Sequence, residues 1–281
     1  KAIEPALGIL LYGMFCQIPF SKLLNSLSHK RFILALLLLN FVLIPILVWG
    51  LVWLLPDKIY LKLGVCLVLL TPCIDYVIFF TKIGEGDIKL ILISTPLLLL
   101  LQMILLPFYL WLFIGNEAVG IISATPFINA FLWLVITPLS LAFITELWAV
   151  KSKIGEKYLS TTSWIPVLMM TLVLFLIAAS QISKVYEDYG LIMQVVPIYI
   201  TYMVVVMLIG WIIALLFHLK TLATRTLLFS GGTRNSLVIL PLALSLPDSW
   251  SNIVTAVIVT QTIIELLGEL IYVRVIPKLI I

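Results

Sequence analysis

The sequence predicts an all-α polytopic membrane protein with nine transmembrane helices, two of them discontinuous and crossing. Three observations carry this. Of 281 residues, 63% are hydrophobic and only 11% charged, with a mean hydropathy of +1.24. Soluble domains hold roughly 45–50% apolar and about 25% charged residues, so a soluble fold would lack the polar surface to cover itself, and a soluble enzyme is excluded. The apolar residues fall into runs of about the 20 residues that a helix needs to cross hydrocarbon. Two of those runs carry Pro or Gly near mid-depth.

The predicted spans are about 3–20, 31–55, 61–82, 88–114, 126–149, 163–183, 192–218, 222–246 and 251–275. The polar connections are short and leave no room for a soluble domain. The first run lacks the basic n-region and small-residue cleavage site of a signal peptide. Cys16, Cys66 and Cys73 all lie in apolar runs. An odd count in lipid argues against a disulfide framework and against a thiolate metal cluster.

Lys and Arg fix the orientation. Lys22, Lys30, Arg31, Lys82, Lys89, Lys151, Lys153, Lys157, Lys220, Arg225, Arg274 and Lys278 fall on one side, twelve in all. Lys1, Lys58, Lys62 and Lys184 fall on the other, and Arg234 lies inside a span. The rich side is cytoplasmic, which places the C-terminus inside a plasma (inner) membrane. The formal net charge of +4 is small, and nucleic acid is not an expected partner.

The chain divides into residues 1–115 and 126–281. Each part ends on a broken helix followed by a long unbroken one. The breaks are Thr71-Pro72-Cys73 and Ser230-Gly231-Gly232-Thr233, and matched polar positions follow at similar intervals, Cys73 to Gln102 and Asn235 to Glu265. This is the plan of secondary transporters built from inverted repeats, whose discontinuous helices form the site. Four segments against five predict a ten-helix parent with one helix before Lys1, and together they form a single transmembrane transporter domain.

Ionisable residues at mid-depth cost about 2.5–3.5 kcal/mol each on insertion scales and mark function by default. The candidates are Asp75, Arg234 and Glu265, with Glu269 and Glu146 nearer an interface. If the broken helices cross, Asp75 and Arg234 meet, either as a structural ion pair or as a substrate or coupling site. A helix stopped in mid-membrane exposes N–H groups and a positive dipole end. Gly231, Gly232 and Thr233 leave room there for a ligand, or else permit close helix packing, and Asn235 and Ser236 add neutral hydrogen-bonding groups. Cys73, at the first break, is either a packing residue or a soft ligand. Glu265 is either a proton-loading carboxylate or a hydrogen-bonded structural one, and Asp75 is a second coupling candidate. Asn40, Thr95 and Gln102 are read as hydrogen-bonding support. Gly84-Glu85-Gly86-Asp87 matches the GxGD string of intramembrane aspartyl proteases, but the one other aspartate inside a predicted span is Asp75, twelve residues back on the same segment, so the match is coincidence. His29 and His218 lie at the membrane edge, and no metal or cofactor site is predicted.

The run TPCIDYVIFFTKIGEGD (71–87) with TPLLLLLQMILLPFYLWLF (95–113) resembles the fourth and fifth helices of arsenical-resistance-type (arsenite permease-like) transporters of the bile acid:sodium symporter superfamily. SGGTRNSLVILPLALSLP (230–247) with VTQTIIELLGELIYVRVIP (259–277) resembles their ninth and tenth, and RFILALLLLNFVLIP (31–45) their third. The resemblance implies a panel domain and a core domain that rock to give alternating access. It places Cys73, within Pro72-Cys73-Ile74, on the cysteine needed for arsenite transport. There are departures: Pro72 stands where the permeases carry arginine, and Thr233-Arg234-Asn235-Ser236 replaces their Asn-Asn-Phe-Glu-Leu run. Val77-Ile78 replaces the Ser-Asn pair of sodium-coupled members, and Ser230 and Arg234 replace their Glu and Gln, so a fixed guanidinium is expected in place of a sodium ion. The expected function is proton-coupled efflux of arsenite or a metalloid oxyacid, by Cys73, Asp75, Thr233, Arg234, Asn235 and Ser236, with Glu265 and Asp75 for coupling. The alternative is sodium- or proton-coupled symport of a small organic anion. A non-transporting sensor or scaffold is a third reading, which the polar groups at mid-depth oppose.

Overall fold

The protein is described from a computed structural model covering residues 3–18, 29–74, 76–115, 129, 131–162, 164–165, 168–169, 172 and 189–280. Every regular element among them is helical. In chain order they are α1 (Ile3–Phe15), α2 (Lys30–Val52), α3 (Ile59–Leu69), α4 (Val77–Ile83), α5 (Ile88–Ile114), α6 (Thr137–Lys151, entered through a π turn, Phe131–Ile136), α7 (Lys153–Thr162), α8 (Tyr189–Leu216), α9 (Thr221–Gly232), α10 (Ser236–Leu244) and α11 (Asp248–Leu279).

Among the described residues, four helices are long and apolar enough to cross a membrane by themselves: Lys30–Val52, Ile88–Ile114, Ile192–Leu216 and Trp250–Leu279. The 32 residues of α11 make a rod about 48 Å long at 1.5 Å per residue, against about 30 Å of hydrocarbon, so it crosses with tilt or overhang. Large apolar side chains such as Ile104, Trp133 and Leu267 point outward, as lipid-facing residues do. The predicted runs 61–82 and 222–246 each resolve into two helices, α3 with α4 and α9 with α10. The predicted span 163–183 lies largely outside the described residues. One element was not predicted: α7 is a short helix folded back on α6. Its Gly155 lies so close to the α6 backbone that an added Cβ would sit 2.8 Å from Ala149 Cα. Its low apolar content hid it from a search for spanning runs.

Prolines shape the spans by removing N–H donors. Pro45 in α2 has no N–H to give the carbonyl of Phe41, four residues back, and that oxygen accepts the Tyr109 hydroxyl at 2.5 Å. Pro96 in α5 likewise leaves Leu92, whose carbonyl takes the Thr95 hydroxyl at 2.8 Å. Just before Pro45, α2 widens into a π turn over Leu39–Leu43. Such one-turn bulges re-aim side chains, and this one contains the buried Asn40.

The helices pack in two sets. α1 lies against α6, with the Tyr12 and Thr145 hydroxyls 2.9 Å apart, and α7 covers α6. In the other set α11 is the spine, contacting α3, α4, α8, α9 and α10. The half-helix α10 touches both sets: α1 and the π turn on one side, α3 and α11 on the other.

Candidate functional site

The first interruption follows from Pro72. α3 ends at Leu69, because proline cannot donate and disfavours helical geometry in the residue before it. Thr71 turns its hydroxyl back onto the carbonyls of Leu67 and Val68, both at 3.0 Å, which serves acceptors that the break would orphan. The second interruption falls at Thr233–Asn235. Thr233 is extended (φ −88°, ψ 135°) and Asn235 caps α10 by accepting from Val238 N–H.

The two breaks lie on one another as a short antiparallel bridge, Pro72 opposite Arg234. Asn235 N–H donates to Thr71 O at 2.8 Å and Cys73 N–H to Thr233 O at 3.3 Å. Pro72 thus occupies the pair position whose N–H points away from the partner strand, where its missing donor costs no bridge hydrogen bond. The predicted crossing of the two interrupted helices is present.

Arg234 is the hub and is wholly buried. Its guanidinium donates to Leu69 O (3.3 Å), Ser230 O (2.6 Å), Gly231 O (3.0 Å) and Asn40 Oδ1 (2.8 Å). It also lies 5.8 Å from the Tyr202 ring centroid, a cation–π distance. Leu69 closes α3, and Ser230 and Gly231 lie in the last turn of α9. The cation therefore occupies the point where the carbonyl ends of two half-helices converge, the favourable end for positive charge. No carboxylate among the described residues is within ion-pair distance of it. Its expected partner Asp75 lies outside the described residues.

Glu265 lies on the amide side of the same crossing. Its carboxylate accepts Arg234 N–H at 2.9 Å, the Tyr76 hydroxyl at 2.8 Å and the Gln261 side-chain amide. The Tyr76 hydroxyl also lies 2.5 Å from Arg234 O. Charges are sorted: the guanidinium at the carbonyl ends, the carboxylate at the backbone N–H that leads into α10. This sorting offsets much of the cost of burying either charge.

The structure brings Cys73, Thr233, Arg234, Asn235 and Ser236 together within the crossing, all buried, with Glu265 against it. The Asn235 side-chain amide nitrogen and the Ser236 hydroxyl carry no hydrogen bond. Ser236 and Thr262 line a cavity of about 230 Å³ between α10 and α11, whose remaining lining is aliphatic and includes Leu237, Leu240, Ile258 and Leu266.

Two expectations are corrected. Gly231 and Gly232 do not form the break: α9 runs through them. They also leave no space for a ligand. A Cβ on Gly232 would lie 2.7 Å from Glu269 Oε1 and from the Tyr272 ring, and one on Gly231 would lie 3.1 Å from Leu39, so both serve close packing. Second, the helix ends that meet at Arg234 are carbonyl ends, already filled by a cation, not open amide ends awaiting an anion.

The GxGD string has a structural account. Asp87 caps α5 by accepting from Lys89 and Leu90 N–H. Glu85, with φ 55°, pairs with Arg225 at 2.9 Å, and Arg225 also holds Pro277 O and Ile280 O at the end of α11. Four participants escaped the sequence analysis or were undervalued. Asn40, expected as general hydrogen-bonding support, accepts from the guanidinium. Tyr76, Tyr202 and Tyr272 were not singled out, although a tyrosine in an apolar span needs a partner for its hydroxyl. Tyr202 finds Gly231 O, and Tyr272 finds Met203 O.

The sequence model of the Sodium Bile acid symporter family matches residues 4–188. No curated protein matches the chain.

Proposed function

The chain belongs to the sodium bile acid symporter family, and from that premise we propose that this ion-coupled membrane transporter exports a small uncharged polar solute, arsenite or a related metalloid oxyacid. Transport is by alternating access, with protons as the coupling ion, in the plasma (inner) membrane with the C-terminus cytoplasmic. The observation that supports this is the state of Arg234. Its guanidinium fills a point at which two helix carbonyl ends would otherwise draw a mobile cation, so sodium has no role to play there. Its terminal nitrogens are committed to four protein acceptors, which leaves Nε alone to meet an anionic substrate. Neutral donors and acceptors remain: the Asn235 amide and the Ser236 hydroxyl, beside a cavity sized for a small solute. Arsenite is uncharged at neutral pH and thiophilic, and Cys73, on the bridge itself, is the soft ligand in this scheme. Thr233 and Asp75, the latter two residues past Cys73 in the chain, complete the proposed site, and Glu265 balances the charge of Arg234 and takes part in coupling. The two helix sets joined by α10 are the bodies proposed to rock.

The family's description favours a second reading, sodium- or proton-coupled symport of a small organic anion. One experiment separates the two. Purified protein in proteoliposomes is given arsenite or taurocholate under an imposed pH gradient or sodium gradient, and accumulated solute is measured by mass spectrometry. Arsenite movement driven by the pH gradient and indifferent to sodium is expected, reduced at least tenfold in Cys73→Ser. Sodium-driven taurocholate uptake without arsenite movement overturns the metalloid assignment.

A further inference from the structure

Four residues beyond Glu265, on the same face of α11, lies a second carboxyl that nothing above employs. Glu269 is wholly buried, and neither of its oxygens has a hydrogen-bond partner. It is pressed onto the last turn of α9, where a Cβ on Gly232 would lie 2.7 Å from its Oε1. Its surroundings contrast with those of Glu265, whose carboxylate holds three donors.

The nearby groups leave no donor for it in this conformation. On its own helix, the Tyr272 hydroxyl is committed to Met203 O, and Glu265 is an acceptor. From α8, the Tyr202 hydroxyl is committed to Gly231 O. Ahead of α4, the Tyr76 hydroxyl is committed between Glu265 and Arg234 O. α10 carries no titratable residue. The titratable residues of α3 belong to the far end of α11, where Gly64 meets Val254 and Val257 and Tyr60 meets Trp250. The break after α9 contributes Arg234, whose Nε is the one guanidinium nitrogen without a partner. Arg234 and Glu265 already balance one another. An ionised Glu269 would add an uncompensated, unsolvated negative charge, a state that buried carboxyls escape by binding a proton.

We propose that Glu269 carries the coupling proton. It holds the proton as a neutral acid in the conformation described here. It releases the proton to water when the crossing opens, the carboxylate left behind being met by solvent and by the unspent Nε–H of Arg234. The proton is rebound from the other side to restore the starting state. This rests on the proton-coupled reading above and moves the exchangeable proton from Glu265 to Glu269, leaving Glu265 as the fixed counter-charge.

The test is infrared difference spectroscopy on the full chain in lipid at neutral pH, where exposed carboxyls are ionised, following the carbonyl stretch of a protonated carboxylic acid. It needs no substrate, so a failure to move arsenite in the flux assay leaves it intact. The band is expected in wild type and in Glu265→Gln, lost in Glu269→Gln, and shifted in D2O as the proton exchanges with solvent. A band that persists in Glu269→Gln, one lost only in Glu265→Gln, or none in wild type overturns the proposal. A band that does not shift in D2O assigns Glu269 a fixed structural proton and equally overturns it. Should Glu269→Gln fail to fold, Glu269→Asp must move the band, and an unmoved band has the same consequence.

Discussion

The two interruptions meet at one crossing but are made by different chemistry. The first is written into covalent geometry: Pro72 stops α3, and the Thr71 hydroxyl and the bridge to Thr233 and Asn235 absorb the freed backbone groups. The second has no proline at its break. α9 runs through two glycines and ends at an extended Thr233, and the acceptors freed on both half-helices are gathered by one side chain, Arg234. At bilayer depth every freed backbone group must find a partner within the protein. A break made by proline is served mainly by a hydroxyl, with Leu69 O left to Arg234. A break without one depends on a charge, and that charge holds both halves of the molecule.

The sharpest way to break this comparison is Arg234→Leu. It orphans the carbonyls of Leu69 and Ser230 together with Asn40 Oδ1, leaves Gly231 O with the Tyr202 hydroxyl alone, and leaves Glu265 without its counter-charge. Removing one member of a buried charged network costs about 3–5 kcal/mol, enough to cause large loss of folded protein, read as the thermal midpoint by tryptophan fluorescence in detergent. Arg234→Lys is expected to recover only part, because a point charge cannot span four acceptors as the guanidinium fork does. Full recovery would show that charge alone suffices.

Asn40→Ala sharpens the same comparison at smaller scale. It deletes one acceptor of the guanidinium and leaves the three carbonyls in place. A hydrogen bond to a charged group contributes about 1.5–3 kcal/mol, so the midpoint is expected to fall between wild type and Arg234→Leu. A null effect would mean that the π turn of α2 does not position Asn40 for this purpose.

Much of the crossing was legible because charge in an apolar run is conspicuous. Arg234 and Glu265 stood out on cost alone, and Pro72 announced its break. What each charge does was not legible. The sequence places Arg234 near a helix end but not which end, and an open anion site and a filled carbonyl pocket share the same residues. Gly231-Gly232 misled for a related reason: glycine permits both a break and a close approach, and only the positions of Leu39, Glu269 and Tyr272 decide between them. Asn40 was hidden because one π turn changes which way a side chain faces without altering the apolar run. Glu269 was visible, but that the protein buries it wholly, against Gly232 and Tyr272, was not legible from its place in the run.

The comparison has a solvent-side counterpart in the same helix that Pro72 follows. Lys62 of α3 pairs with Asp57 at 2.6 Å, and Asp57 is 99% exposed. The hydrogen bond from Lys62, and then its charge, hold the Asp57 carboxyl below its ordinary value. An acid depressed in the folded state contributes stability above its unfolded value, about 4 for Asp, and loses it as pH falls through the folded value. Any contribution is therefore present at neutral pH and absent in strong acid. Water screens this pair and solvates both partners when they separate, which is the opposite of the situation at Arg234. Lys62→Gln should leave the thermal midpoint unchanged at neutral and at acid pH alike. A measurable loss at neutral pH that closes on acidification would show that a charge at the membrane edge contributes as one at the crossing does, and that depth is not what separates them.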